Sequence, residues 1–425
     1  MIHKCSNCGY RSADAGFFRK ARGGLLHTRQ TVCDACTPYQ PTAYERRVSV
    51  GLLLTPFFYF FFVAIITHGH ASIRTVLLPL LVLTASTTPL RIFVHEAGHA
   101  LLARMHGHIV WRTQIGSGPV RHKFTIGSIP FETCAYPWTG GRMSHFNPAG
   151  PSKRGARAAI VMAGPTANAL IATLCLVAAN SVVAANVAST LLSTFGYLNL
   201  IMAVYNLIPR RFGDNESVAS DGQRLLDILF KPTSDADPRR DQLLQTVGYG
   251  ALRRYDDMIA AASDAWQTAP LKYMLAAIIA EGLSRTQGDR AALDFYLAHE
   301  SEFQGGEDIA QDREAHLHIL ESTIALSVLK LGDPTFTRVA EVLSKAAFDT
   351  ASDAPEMQGA YGAWLASVDR IDEGLPVLVQ GTRKSGSLLD KADFCIFLAR
   401  AWRQKGDEQR AAQYDALQVH LRAKP

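Results

Sequence analysis

Charge is what this chain lacks most, and it is missing in blocks. Only 19% of the 425 residues are Asp, Glu, Lys or Arg, against about 25% in an ordinary soluble protein. None occurs in the 52 positions between Arg157 and Arg210, nor in the 26 between Arg47 and Arg74. From residue 231 onward charge is dense. The contrast excludes a uniformly soluble single domain and a disordered chain alike. Cysteine is sparse too. Of seven, four form two Cys-x-x-Cys pairs and three are scattered, which does not describe a secreted disulfide scaffold. The net charge of +5 is small for this length. The basic residues sit beside the apolar runs, so no nucleic-acid partner is expected.

The uncharged blocks have membrane dimensions. A bilayer core about 30 Å thick takes about 20 apolar helical residues. Residues 48–67, 158–179 and 190–208 each fit, with a polar turn at Asn180-Ser181 and Asn186. Residues 75–103 form a fourth candidate, interrupted by Arg91, His95, Glu96 and His99, with a kink expected at Pro89. Ionisable groups at membrane depth are costly and point to function. Residues 1–47 carry eight Lys/Arg against three Asp/Glu, and residues 106–157 carry seven against one. The positive-inside rule then places both segments, and both termini, in the cytoplasm.

Ahead of the spans stand Cys5-x-x-Cys8 and Cys33-x-x-Cys36. Two such knuckles can offer four thiolates to one structural zinc. A unit of about 40 residues is too small for a stabilising core, so metal would supply the folding energy. Redox-active pairs or free thiols are the alternatives. Gly9 suits the tight backbone of the first knuckle.

Between the second and third spans the chain reads as extended. Thr113–Ile115, Lys123–Ile126 and Phe131–Tyr136 are strand-like, separated by Gly116-Ser117-Gly118-Pro119 and Ser128-Ile129-Pro130. A small hairpin structure at the cytoplasmic membrane surface is expected. Beyond residue 231 the pattern is helical. Tyr255-Asp256, Gly288-Asp289, Gly332-Asp333, Arg370-Ile371-Asp372 and Gly406-Asp407 recur at intervals of about 34–44 residues. Stacked helix pairs of the tetratricopeptide kind have such periods, and they usually serve to bind a partner. An unrelated helical bundle is the alternative.

The sharpest chemical feature is His95-Glu96-Ala97-Gly98-His99. On a helix, positions i and i+4 project from one face, so both imidazoles can reach one metal ion. Glu96 then sits where it can take a proton from zinc-bound water. A catalytic zinc takes a third protein ligand. By position Asp221, before Gly222, is a candidate and Asp214 a competitor. Arg91, one turn before His95, can line a cavity or make a structural pair. The flanking His68, His70, His106, His108 and His122 read as interfacial, and Cys134, Cys175 and Cys395 as small apolar residues.

Three elements in order carry a resemblance. His95–His99 is followed by Ala100-Leu101-Leu102-Ala103-Arg104. Gly164-Pro165-Thr166-Ala167-Asn168 lies in the next span. Asn206-Leu207-Ile208-Pro209 precedes Asp221-Gly222. Residues 75–230 thereby resemble the site-2 protease family of intramembrane zinc metalloproteases. The resemblance implies His95, His99 and Asp221 as ligands of a catalytic zinc and Glu96 as general base. It also implies Asn168 and Asn206 as substrate-binding amides, and a hairpin edge strand holding an extended substrate. Two departures stand out: eleven residues separate Pro209 from Asp221, and Ser220 replaces the usual Leu.

The expected architecture is mainly α. It comprises a zinc ribbon over 1–40, a membrane metalloprotease domain over 41–230 with about four spans, and a helical repeat domain over 231–425. The expected function is an intramembrane zinc endopeptidase of the cell membrane with two zinc ions, one catalytic and one structural. Its partners would be a transmembrane protein substrate, the lipid bilayer and a cytoplasmic protein on the tail. The rival is a non-proteolytic membrane scaffold with a vestigial metal site.

Overall fold

The computed structural model describes residues 2–23, 28–37, 40, 45–46, 73–150, 152–181, 187–212, 218–230, 238–266, 272–303 and 310–423. The expected first span, 48–67, lies outside the described residues. The fold is mainly helical and separates into two compact units, Met1–Tyr39 with Gln245–Pro425, and Gln40–Leu244.

The chain opens with two small antiparallel pairs. β1 (His3–Lys4) pairs with β2 (Arg11–Ser12), and β3 (Phe18–Gly23) with β4 (Thr28–Cys33). Gly9 takes φ 74° at the first knuckle, a conformation that costs other residues a Cβ clash.

The second unit begins its described helices with α1 (Ile73–Met105), which runs unbroken through Pro89. Thr84, Thr88, Arg91, His95 and His99 are all buried on it. Their spacing of three and four residues makes one helical stripe, while Leu90 and Leu101 are exposed. The helix stops where Gly107 takes φ 80°. The Gly107 amide donates to the Arg104 carbonyl and the His108 amide to that of Ala103, both at 3.0 Å, which satisfies the terminal carbonyls.

β5 (Ile109–Ile126) and β6 (Ile129–Phe146) follow. The expectation of three short strands is corrected to two strands of 18 residues each. Gly116 and Gly118, at φ 83° and 87°, bend the strand at a run of register shifts rather than ending it. Residues 109–115 pair with 141–146 on one side, and 113–115 also lie beside 131–133, which in turn pair with 122–124. The hairpin therefore doubles back into four rows, with 141–146 along one edge. Ile115 and Phe131 bury against Ile92 of α1, each such side chain contributing about 1.5–3 kcal/mol.

Two helices are long and apolar enough to cross a membrane among the described residues: α2 (Arg154–Ser181) and, within α3 (Val187–Leu207), the stretch Ser189–Leu207. Both expose large apolar side chains and bury a polar one each. Asn168 and Asn199 are fully buried, whereas Leu170, Leu174, Val177, Leu200, Ile201 and Val204 are exposed. After α3, β7 (Arg211–Phe212) pairs with β8 (Val218–Ala219), and α4 (Asp221–Phe230) begins at once.

The tail comprises α5 (Pro238–Ala251), α6 (Tyr255–Trp266), α7 (Lys272–Thr286), α8 (Asp289–His299), α9 (Ala310–Leu331), α10 (Thr337–Thr350), α11 (Pro355–Ser367), α12 (Ile371–Lys384), α13 (Leu388–Gln404) and α14 (Glu408–Ala423). The five recurring sequence elements all fall at helix junctions. Each has a positive-φ residue at or just before it: Arg253, Gly288, Gly332, Asp369 and Gly406. Phe17 and Val32 of the N-terminal segment join the same core as Leu378, Phe394, Tyr414 and Leu417. Phe17 meets the Tyr414 ring edge-on at 5.2 Å. Arg383 donates to the Asp34 carbonyl at 2.7 Å and also bonds its carboxylate. Lys391 donates to the Ala35 carbonyl at 3.2 Å. The cysteine knuckles and the tail are thus parts of one packed body.

Candidate metal centres and catalytic site

His95 and His99 lie one turn apart on α1, and the start of α4 brings Asp221 to them. Asp221 Oδ2 is 2.9 Å from His95 Nε2 and 3.5 Å from His99 Nε2, and the two Nε2 atoms are 3.2 Å apart. A tetrahedral ion with bonds of about 2.0–2.1 Å needs donors about 3.3–3.4 Å apart. The three atoms fit three corners of that tetrahedron. All three residues are buried.

The orientation of this triad is built in. His99 Nδ1 lies 2.7 Å from the Ile160 carbonyl of α2, the arrangement that fixes a ring and presents its other nitrogen to a metal. Gly164 of α2 faces both imidazoles, and a Cβ there would overlap His99 Nε2. Gly222 does the same for Asp221: a Cβ would collide with the Leu207 carbonyl at the end of α3. Only glycine lets α4 start this close to α3. Asp214, the competing carboxylate, lies outside the described residues.

Glu96 is buried beside the triad. Its carboxylate lies against the backbone of Gly141, where a Cβ would overlap Oε1. The edge row 141–146 therefore passes directly by Glu96. Asn168 is fully buried, one turn beyond Gly164 on α2, and neither of its amide atoms has a partner among the described residues. Asn206 is half-buried and spends its amide N–H on the Met202 carbonyl at 3.1 Å. Arg91 is buried and joins α1 to α3. It donates to the carbonyls of Thr84 at 3.2 Å and Leu198 at 3.3 Å, and to the Thr88 hydroxyl. That is a structural role.

The four thiols of Cys5, Cys8, Cys33 and Cys36 form a second cluster, all within 4.8 Å of one another and all buried. Cys8 Sγ and Cys33 Sγ are 3.6 Å apart. Bonds of about 2.3 Å to a tetrahedral zinc need sulfurs about 3.8 Å apart, so the cluster fits that ion.

The remaining singled-out residues lie elsewhere. His108 Nδ1 meets His145 Nδ1 at 2.6 Å, and His108 Nε2 meets the Ser152 hydroxyl at 3.0 Å. Burial, aided by His108, pulls His145 down to about 4, so this pair shares a proton as neutral rings. His106 and His122 are exposed, and His68 and His70 lie outside the described residues. Cys134 is buried, and burial pushes its thiol up. Cys395 is buried and Cys175 half-buried. The Ile160 carbonyl and the Gly141 contact carry no sequence signal, because each is a backbone group set by packing.

Residues 88–184 match the family model of peptidase family M50. The match takes in His95–His99 and Gly164–Asn168 and ends before Asn206 and Asp221. A search for relatives among curated proteins finds no match.

Proposed function

We propose that the chain is an intramembrane zinc metalloendopeptidase that cuts transmembrane protein substrates near the cytoplasmic face of the cell membrane. The observation that carries this reading is the convergence of His95, His99 and Asp221 donor atoms around one tetrahedral position, with Glu96 buried beside it. The similarity to peptidase family M50 over residues 88–184 supports it. So does the apolar outer surface of α2 and α3, whose outward Leu, Val and Ile side chains suit a hydrocarbon surround better than water. In this reading the chain spans the membrane several times with both termini in the cytoplasm, as its Lys/Arg distribution argues.

His95, His99 and Asp221 would hold the zinc, which would supply Lewis acidity there. The chain's own groups do the rest. Glu96 takes a proton from the water as its oxygen bonds to the carbonyl carbon. When the C–N bond breaks, Glu96 returns that proton to the amine nitrogen. The free amide of Asn168 is available to the substrate backbone or the developing oxyanion, and Asn206 offers its carbonyl oxygen. The backbone of row 141–146 can pair with an unwound substrate strand. The helical tail would bind a cytoplasmic protein.

The test is Glu96→Gln in the full chain, reconstituted in lipid with a fragment-resolved membrane proteome as substrate. Cleavage should fall by at least about 10²–10⁴-fold while metal at the His/His/Asp position is retained. Cleavage that persists in this variant would sink the reading and leave the non-proteolytic scaffold standing.

A further inference from the structure

The eleven-residue segment between Pro209 and Asp221 is closed by one side chain. Ser220 is buried. Its amide donates to the Arg210 carbonyl at 3.0 Å. Its hydroxyl accepts from the amides of Arg210 at 3.1 Å and Gln223 at 3.2 Å, and donates to the Ile208 carbonyl at 2.9 Å. A serine hydroxyl has one hydrogen to give and two lone pairs to fill, so its capacity is fully used. Each bond joins something different. The Ile208 carbonyl is one of those left over at the end of α3. The Arg210 bonds shut the base of the β7–β8 pair. The Gln223 bond makes Ser220 the N-cap of α4, whose first residue is Asp221. A second tie lies further out, where Arg211 pairs with Asp227 at 2.7 Å and Gln223 donates to Asp227 at 3.0 Å.

We propose that Ser220 is a positioning residue that holds the Asp221 carboxylate against the two imidazoles, through the bonds its hydroxyl makes to Ile208, Arg210 and Gln223. This rests on the reading of His95, His99 and Asp221 as a metal site. A direct turn from α3 into α4 would need no such device. With eleven intervening residues, contacts and not the chain itself hold the first turn of α4 to α3: Gly222 packs against the Leu207 carbonyl, and the Ser220 hydroxyl adds a directed tie. The hydroxyl does so at the residue adjoining the ligand. Loss of a group that orients a metal ligand typically weakens metal binding about 10–100-fold.

The test uses the full chain in detergent micelles loaded with Co²⁺ alone, in competition with a chromogenic chelator. The thiolate-to-cobalt charge-transfer band reports the four-cysteine cluster separately. Ser220→Thr keeps the hydroxyl, and Ser220→Val has the shape of that variant with a methyl in place of the hydroxyl. Ser220→Thr should keep affinity at the His/His/Asp position near that of the parent. Ser220→Val and Ser220→Ala should weaken it about 10–100-fold, with the melting temperature of the metal-free protein little changed. Equal affinity in Ser220→Thr and Ser220→Val overturns the inference, whether both bind or both fail. Asp221→Ala, run in parallel, separates the two levels. If the parent binds no better than Asp221→Ala, the metal-site reading itself has failed. If Asp221→Ala loses the ion and Ser220→Val does not, only the role of Ser220 has.

Discussion

Tyr414, on the last helix, donates its hydroxyl to Asp34 Oδ2 at 2.7 Å, and Asp34 lies between the two cysteines of the second knuckle. The bond spans 380 positions of sequence. It keys the metal-binding segment to the tail, with Arg383 on the same carboxylate.

Tyr414→Phe should therefore destabilise the whole first unit. A hydrogen bond to a charged group contributes about 1.5–3 kcal/mol, and about 1 kcal/mol moves the melting point of a domain this size by roughly 2–4 °C. Thermal melting followed by helix circular dichroism should shift down by about 3–12 °C. Stripping metal from the four cysteines should lower the same transition, because the knuckles are part of that core. A tail that melts unchanged without its metal would contradict the shared core.

Metal content separates the two centres. The purified chain should carry about two zinc ions. Replacing all four cysteines, Cys5, Cys8, Cys33 and Cys36, by Ser should remove one. His95→Ala should remove the other and abolish cleavage. Elemental analysis of the variants checks both statements.

Gly164→Val should leave α2 helical yet eliminate metal at the His/His/Asp position, since its Cβ would occupy the space of His99 Nε2. Cleavage should fall as far as in His95→Ala. Retained metal in this variant would mean that α2 does not approach the imidazoles as closely as described.

Half-buried Asp390, on α13, gives the tail a pH response. Burial, with the carboxylates of Glu281, Glu356 and Asp393 nearby, pushes it up to about 7 from 3.8. The folded state thus prefers the protonated acid. The stabilisation is fully present below about pH 4 and is lost as pH rises through about 7. Because the side chain is partly exposed, the effect is well under the full linkage value of about 1.4 kcal/mol per unit. Asp390→Asn should raise stability by about 1–2 kcal/mol at pH 8 and leave it unchanged near pH 4. Melting curves at both values measure this.

How much of this was legible in the sequence depends on the range of the interaction. His95, Glu96 and His99 are a local pattern, fixed by the pitch of one helix. Asp221 stood beside Asp214 as a candidate by position, and the resemblance favoured it, because the 126 positions separating it from His95 leave the pairing itself unspecified. Ser220 read as a departure, and its meaning came with the hydrogen bonds it makes. The glycines of β5 read as strand breaks, whereas in a bent, doubled hairpin they are bends. The docking of the knuckles on the tail left no trace, because Phe17 and Asp34 look like any ribbon residues until Tyr414 and Arg383 meet them. Four spans were expected, and α2 and α3 meet the length and hydropathy required.

The sharing of one core by the first forty residues and the last helix has a consequence for biosynthesis. Asp34 precedes Arg383 by 349 positions and Tyr414 by 380. Until those residues are made, its carboxylate lacks both partners and Phe17 lacks the Tyr414 ring. Docking of the knuckles therefore follows synthesis of the helices that receive them.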